Sequence, residues 1–226
     1  MTATASVRFV PGDDGELTYR QKDGGPTGPV ILMLHGLSGD EDVMWLLTSA
    51  LPDDAWLAAP RGSFAHPDGG YSWVQGGTEG AGGSLADYRP AVEAVVAWWQ
   101  SLRRQEELPA RRPYLMGFSQ GAALTFALAA GGMPAQGVIA LAGFVPTGDL
   151  SALEGVPVYW GHGAKDDTVT LARAQADVER LQRAGVLVEL CVAEVGHKVG
   201  VECMRGLTAW LRQRERDDPG GPQPGP

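Results

Sequence analysis

The sequence predicts an α/β fold, with a mostly parallel central sheet and helices on both faces, and three observations carry that expectation. Apolar runs of strand length alternate with segments of helical period along most of the 226 residues, the order that builds a parallel sheet. One run, Val30-Ile31-Leu32-Met33-Leu34, is apolar without a break. A strand covered on both faces reads this way. The pentapeptide Gly117-Phe118-Ser119-Gln120-Gly121 sits between an apolar run and a small-residue helix, so a sharp strand–turn–helix junction is expected there.

Ser6–Val10 and Leu17–Arg20 read as short strands around a turn at Gly12-Asp13-Asp14-Gly15. Val30–Leu34 follows as the first buried strand. Asp40 to Leu51 reads as a helix, with Val43, Leu46, Leu47 and Leu51 on one side. Trp56–Ala59 is a strand stopped by Pro60. Arg61 to Gly83 has no helical period and carries seven Gly between Gly69 and Gly83, so it is expected to be a long surface excursion. Ser84 to Leu108 has the clearest helical period, with Leu85, Tyr88, Val92, Val95, Val96, Trp99 and Leu102 on one face. Pro113–Met116, Gly137–Leu141, Val156–Trp160 and Val186–Val192 read as strands. Helices fill the gaps at Gln120–Ala130, at Leu171 to Leu181 and at Val199 to Leu211. Gly185 stands where a helix stop prefers glycine. Trp98, Trp99 and Trp210 are expected to pack on the sheet, although the sequence is also compatible with a homodimer.

A single domain over 1–214 is expected, followed by a Pro/Gly-rich tail at 215–226. Asp217 to Pro226 has four Pro, three Gly and no apolar residue, too little to offset the entropy of ordering. The net charge of −9 argues against a nucleic-acid partner, which needs a basic face, and offers no attraction to anionic lipid. No run approaches the roughly 18 apolar residues of a membrane span, so stable membrane insertion is not expected. Met1 to Asp14 has no apolar core of a signal peptide, and a cytoplasmic location is the expectation. Cys191 and Cys203 then read as two reduced, buried thiols. No His-x-x-x-His or Cys-x-x-Cys spacing marks a metal site, and no phosphate-binding glycine loop is present.

The chemistry starts at Ser119. In its strand–turn–helix setting, Gly-x-Ser-x-Gly matches the nucleophile elbow of α/β-hydrolases. The turn lifts the serine above the sheet, and the two glycines leave room for neighbouring backbone. The free N–H of Gln120 at the helix start can bind a developing oxyanion. The same pattern wants a second N–H from a His-Gly turn after an earlier strand. Leu34-His35-Gly36-Leu37 supplies it, and the donor is assigned to Leu37. His35 is expected to brace that loop by hydrogen bonds.

A carboxylate beyond another apolar strand can orient a catalytic imidazole. Asp166 and Asp167 both stand there, and the residues alone do not choose between them. Of the four histidines, His35, His66, His162 and His197, only His197 follows both the serine and these acids. That is the chain order of α/β-hydrolases, and it selects His197 as the base. His162 is expected to brace the acid loop.

With these residues named, the chain resembles the phospholipase/carboxylesterase family of α/β-hydrolases, which includes acyl-protein thioesterases. The resemblance runs from about Pro29 to Leu211. It rests on Leu34-His35-Gly36-Leu37, on Gly117-Phe118-Ser119-Gln120-Gly121, on His162-Gly163-Ala164-Lys165-Asp166-Asp167-Thr168-Val169 and on Gly196-His197. The third segment fits the family pattern His-Gly-x-x-Asp-x-x-Val and thereby selects Asp166. Asp167 stands where the family usually has proline. Dienelactone hydrolases are similar in layout but carry cysteine at the position of Ser119.

The resemblance implies an α/β-hydrolase fold without a large cap domain, and a cofactor-free serine carboxylesterase. The expected substrates are small-molecule esters of short- to medium-chain acids. Acyl thioesters and lysophospholipids are alternatives for the same triad, and a non-catalytic binding protein is the alternative of another class. Trp73, Phe118, Phe144 and Val169 are the expected pocket walls beside Leu37. Gly70-Tyr71-Ser72-Trp73 resembles the family's variable loop.

Overall fold

The computed structural model describes residues 6–13, 16–76, 82–106, 108 and 111–217. An eight-stranded sheet runs in the order β1 (Val7–Val10), β2 (Tyr19–Lys22), β4 (Trp56–Pro60), β3 (Val30–Leu34), β7 (Tyr114–Phe118), β8 (Gly137–Leu141), β9 (Pro157–Gly163), β10 (Leu187–Ala193). β1 pairs antiparallel with β2, and β2 antiparallel with β4; every later pairing is parallel. The expected mostly parallel sheet is therefore present, with an antiparallel hairpin at one edge.

β3 shows how the apolar run is used. Val30, Leu32 and Leu34 enter one core, whereas Ile31 and Met33 enter the other, as alternating side chains on a two-sided strand must. The first core lies under α1 (Arg89–Gln105), α2 (Gln120–Ala130) and α3 (Leu171–Arg183). The second lies under residues 43–50 and α4 (Val201–Asp217). Trp98 and Trp99 pack in the first core and Trp210 in the second.

Several boundaries differ from the expectations, each for a local reason. Residues Val43–Ala50 form a 3₁₀ run instead of an α-helix over 40–51. It leaves Leu46 exposed, so the apolar positions 43, 46, 47 and 51 do not share one buried face. α1 begins at Arg89, not Ser84, because Pro90 fits only a first helical turn. Residues 85–88 are turns, held by Ser84 N–H and Oγ donating to Asp87. The excursion contains a small hairpin, β5 (Phe64–Ala65) with β6 (Tyr71–Ser72). α4 continues through Asp217, so the expected domain boundary at 214 falls inside a helix. Turn residues 14–15, excursion residues 77–81 and tail residues 218–226 lie outside the described residues.

The two cysteines are a correction. Cys191 on β10 and Cys203 in α4 form a disulfide, not two free thiols. β10 turns back into α4 so tightly that their Cα atoms stand 5.5 Å apart, within bridging range. Among the described residues, no helix is long and apolar enough to cross a membrane.

Candidate active site

The carboxyl ends of the parallel strands β3, β7, β8 and β9 and the segments after them converge on Ser119. Ser119 takes φ 52° and ψ −115°, a backbone conformation that a non-glycine residue adopts only under constraint. The constraint is visible. Its N–H donates to the Leu141 carbonyl at 2.9 Å, and its carbonyl accepts from Ala122 at 3.0 Å as α2 begins. Gly121 packs on the Leu34 carbonyl and Gly117 on the Gly121 backbone, leaving no space for a Cβ at either. This is why the motif needs both glycines.

The imidazole of His197 spans the gap between the serine and the acid. Its Nε2 lies 3.1 Å from Ser119 Oγ, and its Nδ1 lies 2.8 Å from Asp166 Oδ2. The ring also packs on Phe118, centroid to centroid 5.1 Å. Asp166 is buried, and its other oxygen accepts from the N–H groups of Thr168 at 3.0 Å and Val169 at 2.8 Å. Asp167 points to solvent. Of the two neighbouring acids, Asp166 alone reaches the imidazole.

Neither Leu37 N–H nor Gln120 N–H has a hydrogen-bond partner among the described residues. The Leu37 turn abuts the nucleophile, since a Cβ placed on Gly36 would stand 3.3 Å from Ser119 Cβ. Donors preorganised in this way can stabilise an oxyanion.

His35 and His162 act as braces, as expected. His35 is fully buried; its Nδ1–H donates to the Gly36 carbonyl at 2.7 Å, and its Nε2 accepts from Gly62 N–H at 2.8 Å. His162 Nε2–H donates to the Val169 carbonyl at 2.8 Å, and its Nδ1 accepts from Trp160 Nε1–H at 3.2 Å. Burial pushes the pKa of both rings below the ordinary histidine value. The unfolded chain therefore binds protons first as pH falls through about 6.5, and stability declines below that point. Urea midpoints measured from pH 8 to pH 5 are expected to fall through that window, and a His162→Asn variant to fall less steeply. A level wild-type midpoint from pH 7 to pH 5.5 contradicts this. His66 is partly buried and lies 3.1 Å from Ser38 Oγ by its Nδ1.

The pocket walls need correction. Trp73 is 0 % exposed, Val169 1 % and Phe144 3 %, and all three belong to the first core. They support the site from beneath and do not line an open groove. Trp73 Nε1–H donates to the His35 carbonyl at 2.8 Å, which steadies the Leu37 turn. Phe118 and Leu37 do retain exposed surface beside Ser119.

Three supporting contacts were not legible in the sequence. The Gln120 side chain accepts from Trp73 N–H at 2.9 Å and donates its Nε2–H to Ser72 Oγ at 3.1 Å, tying the inner end of the excursion to the elbow. Its polar amide in a small-residue helix was the available signal. Arg61 grips the buried Glu41 with Nε at 2.6 Å and Nη2 at 2.5 Å, and lies over the Tyr71 ring. That guanidinium holds Glu41 below the usual carboxylate range. Asp177 is buried between Arg173 and Arg180 and accepts from Val145 N–H at 2.9 Å, fixing the segment after β8. Among the described residues, no group of three or more His, Cys, Asp or Glu could hold a metal ion.

Comparisons with known proteins give the family and the fold. The family model described as Phospholipase/Carboxylesterase matches residues 21–214. Esterase YpfH of Escherichia coli K12 is 30% identical over 200 residues, covering 83% of each chain. A protein named probable carboxylesterase SOBER1-like from Arabidopsis thaliana is 34% identical over 109 residues, 45% of this chain and 42% of that one. The chain thus aligns with less than half of that second relative and most of the first. Among solved structures, the Bacillus cereus carboxylesterase superposes with a TM-score of 0.77 at 18% identity, covering 88% of this chain and 94% of that one. The Mesorhizobium loti carboxylesterase gives 0.77 at 21% identity, covering 91% and 98%. At such identities the superpositions speak for the fold.

Proposed function

Because the chain belongs to the phospholipase/carboxylesterase family, we propose that it is a serine carboxylesterase acting on short- to medium-chain esters through Ser119, His197 and Asp166. The observation that carries this reading is one imidazole within hydrogen-bond distance of both a strained, partly exposed serine and a buried carboxylate. In the proposed sequence, His197 Nε2 takes the Ser119 proton as Oγ attacks the ester carbonyl. The oxyanion forms against the N–H groups of Leu37 and Gln120. Asp166 holds the Nδ1 proton and stabilises the imidazolium. The imidazolium returns its proton to the leaving alcohol, and water then releases the acid by the same steps.

The partial exposure of Ser119, His197, Leu37 and Phe118 supports an accessible groove, and hence the shorter acyl chains. Each chain holds the whole set of groups, so turnover does not depend on the homodimer that the sequence is compatible with. A cytoplasmic location belongs to the same reading, and there the Cys191–Cys203 bridge would meet a reducing environment.

A fluorophosphonate probe followed by peptide mass spectrometry is expected to label Ser119. A panel of p-nitrophenyl esters from acetate to palmitate is expected to give its highest kcat/KM between butyrate and octanoate. A steady rise to palmitate would overturn the chain-length proposal. Faster turnover of an acyl thioester or a lysophospholipid would reassign the leaving group but keep the triad.

A further inference from the structure

Outside the Ser119 cluster, the reactive group best placed to act on it is the Cys191–Cys203 disulfide. The two cysteines are 12 residues apart, and the segment between them carries His197. Around His197 that segment is thinly held. Among the described residues, 197–199 make no backbone hydrogen bond to another element; Lys198 N–H reaches back only to Gly196. The ring itself is fixed by Asp166, Ser119 and Phe118. The backbone before His197 is held to the acid loop, by Ala164 N–H to the Ala193 carbonyl at 2.7 Å and Lys165 N–H to the Val195 carbonyl at 2.9 Å; the stretch after it runs into α4, where Cys203 closes the bridge.

The start of α4 also packs on the strand that leads into the acid. A Cβ on Gly161 of β9 would stand 3.4 Å from Cys203 Cβ and 3.6 Å from Val199. Tyr159 of β9 donates its hydroxyl to the Cys203 carbonyl at 2.6 Å. Asp166 follows three residues after β9 ends. Base and acid are thus referenced to one strand, β10 is paired to it along its length, and the bridge ties β10 to α4 across that frame.

We propose that the Cys191–Cys203 bridge is a redox-sensitive positioning element for His197, which a dithiol reductant opens to slow turnover and reoxidation restores. This inference rests on His197 serving as the base. Cys203 is closed to solvent and Cys191 is partly exposed, so the reductant's thiolate attacks the Cys191 sulfur. A mixed disulfide forms there as the Cys191–Cys203 bond breaks, and the Cys203 sulfur leaves with the electron pair and takes a proton. The second thiol of the reductant then displaces Cys191 and closes the reductant's own disulfide. Two electrons pass to the protein, giving two thiols. With the covalent tie gone, the 196–200 stretch between β10 and α4 gains freedom and the imidazole loses its fixed position between Ser119 and Asp166. Misplacement of a catalytic group by about 1 Å can cost on the order of a hundredfold in rate.

The test uses the full chain, oxidised or reduced with dithiothreitol. Reduction is verified by intact mass as uptake of two hydrogens, and the reagent is removed anaerobically before assay with p-nitrophenyl butyrate. Reduction is expected to lower kcat by about five- to twentyfold, a fraction of the misplacement limit, with KM within about twofold. Oxidation should restore kcat. A Cys191→Ser/Cys203→Ser variant should match the reduced protein and ignore dithiothreitol. Mass-verified reduction with unchanged kcat overturns the proposal, and so does a loss carried by KM instead of kcat. So does a loss of kcat that tracks loss of the near-ultraviolet circular dichroism, which would mark unfolding. If the double variant does not fold, the reduced wild type decides alone. Failure of the triad reading appears separately, as activity retained by Ser119→Ala.

Discussion

Ser119→Ala is expected to lower kcat by about 10⁴- to 10⁶-fold, while leaving the urea midpoint close to that of the wild type. The size follows from the geometry. Alanine removes the attacking oxygen, and the nearest alternative is a water that neither the elbow nor His197 holds in line. The two free N–H groups and the binding surface remain, so a residual rate of about 10³ over uncatalysed hydrolysis should survive. The fold is spared because Ser119 contributes to its neighbours through backbone: its N–H to Leu141 and its carbonyl to Ala122 persist in alanine. Steady-state assays with p-nitrophenyl butyrate check the rate, and fluorophosphonate labelling should vanish in parallel. A variant with wild-type turnover would remove the serine from the mechanism.

Asp166→Asn is expected to cost about 10⁴-fold in kcat, for a reason the surroundings dictate. The Asp166 oxygen that accepts from Thr168 and Val169 must remain an oxygen, because both partners donate. The asparagine amide is therefore turned with its NH₂ toward His197 Nδ1. Two donors cannot face each other, so Nδ1 gives up its proton and Nε2 takes it. Nε2–H then points at Ser119 and cannot accept its proton. Asp167→Asn is the control. That side chain points to solvent, and its rate should stay within about twofold of wild type. Equal losses in both variants would argue for a charge effect spread over the loop.

Much of this arrangement was legible because it rests on local patterns. An unbroken apolar β3 needs helices on both faces, and Gly117 and Gly121 flank a turn that tolerates no Cβ. His197 was identified by order alone, since only one histidine follows both partners. The misses have a common physical origin in contacts between distant segments. Trp73 reads as an exposed wall in a glycine-rich stretch, yet Gln120 and the His35 carbonyl draw it inward. The 3₁₀ run at Val43–Ala50 has helical spacing, and nothing in its composition reveals the tighter winding. Cys191 and Cys203 look like unrelated buried thiols until the β10–α4 reversal sets them side by side.

Gln120 joins two tasks in one residue. In the proposed mechanism its main-chain N–H receives the substrate's oxygen, while its amide tethers Ser72 and Trp73. The root of the excursion is consequently pinned to the reaction centre, whereas the outward stretch around residues 63–69 is free of that tether. Sequence drift in the outer stretch leaves that anchor intact, whereas drift at position 120 would loosen the root of the excursion and disturb the serine turn at once.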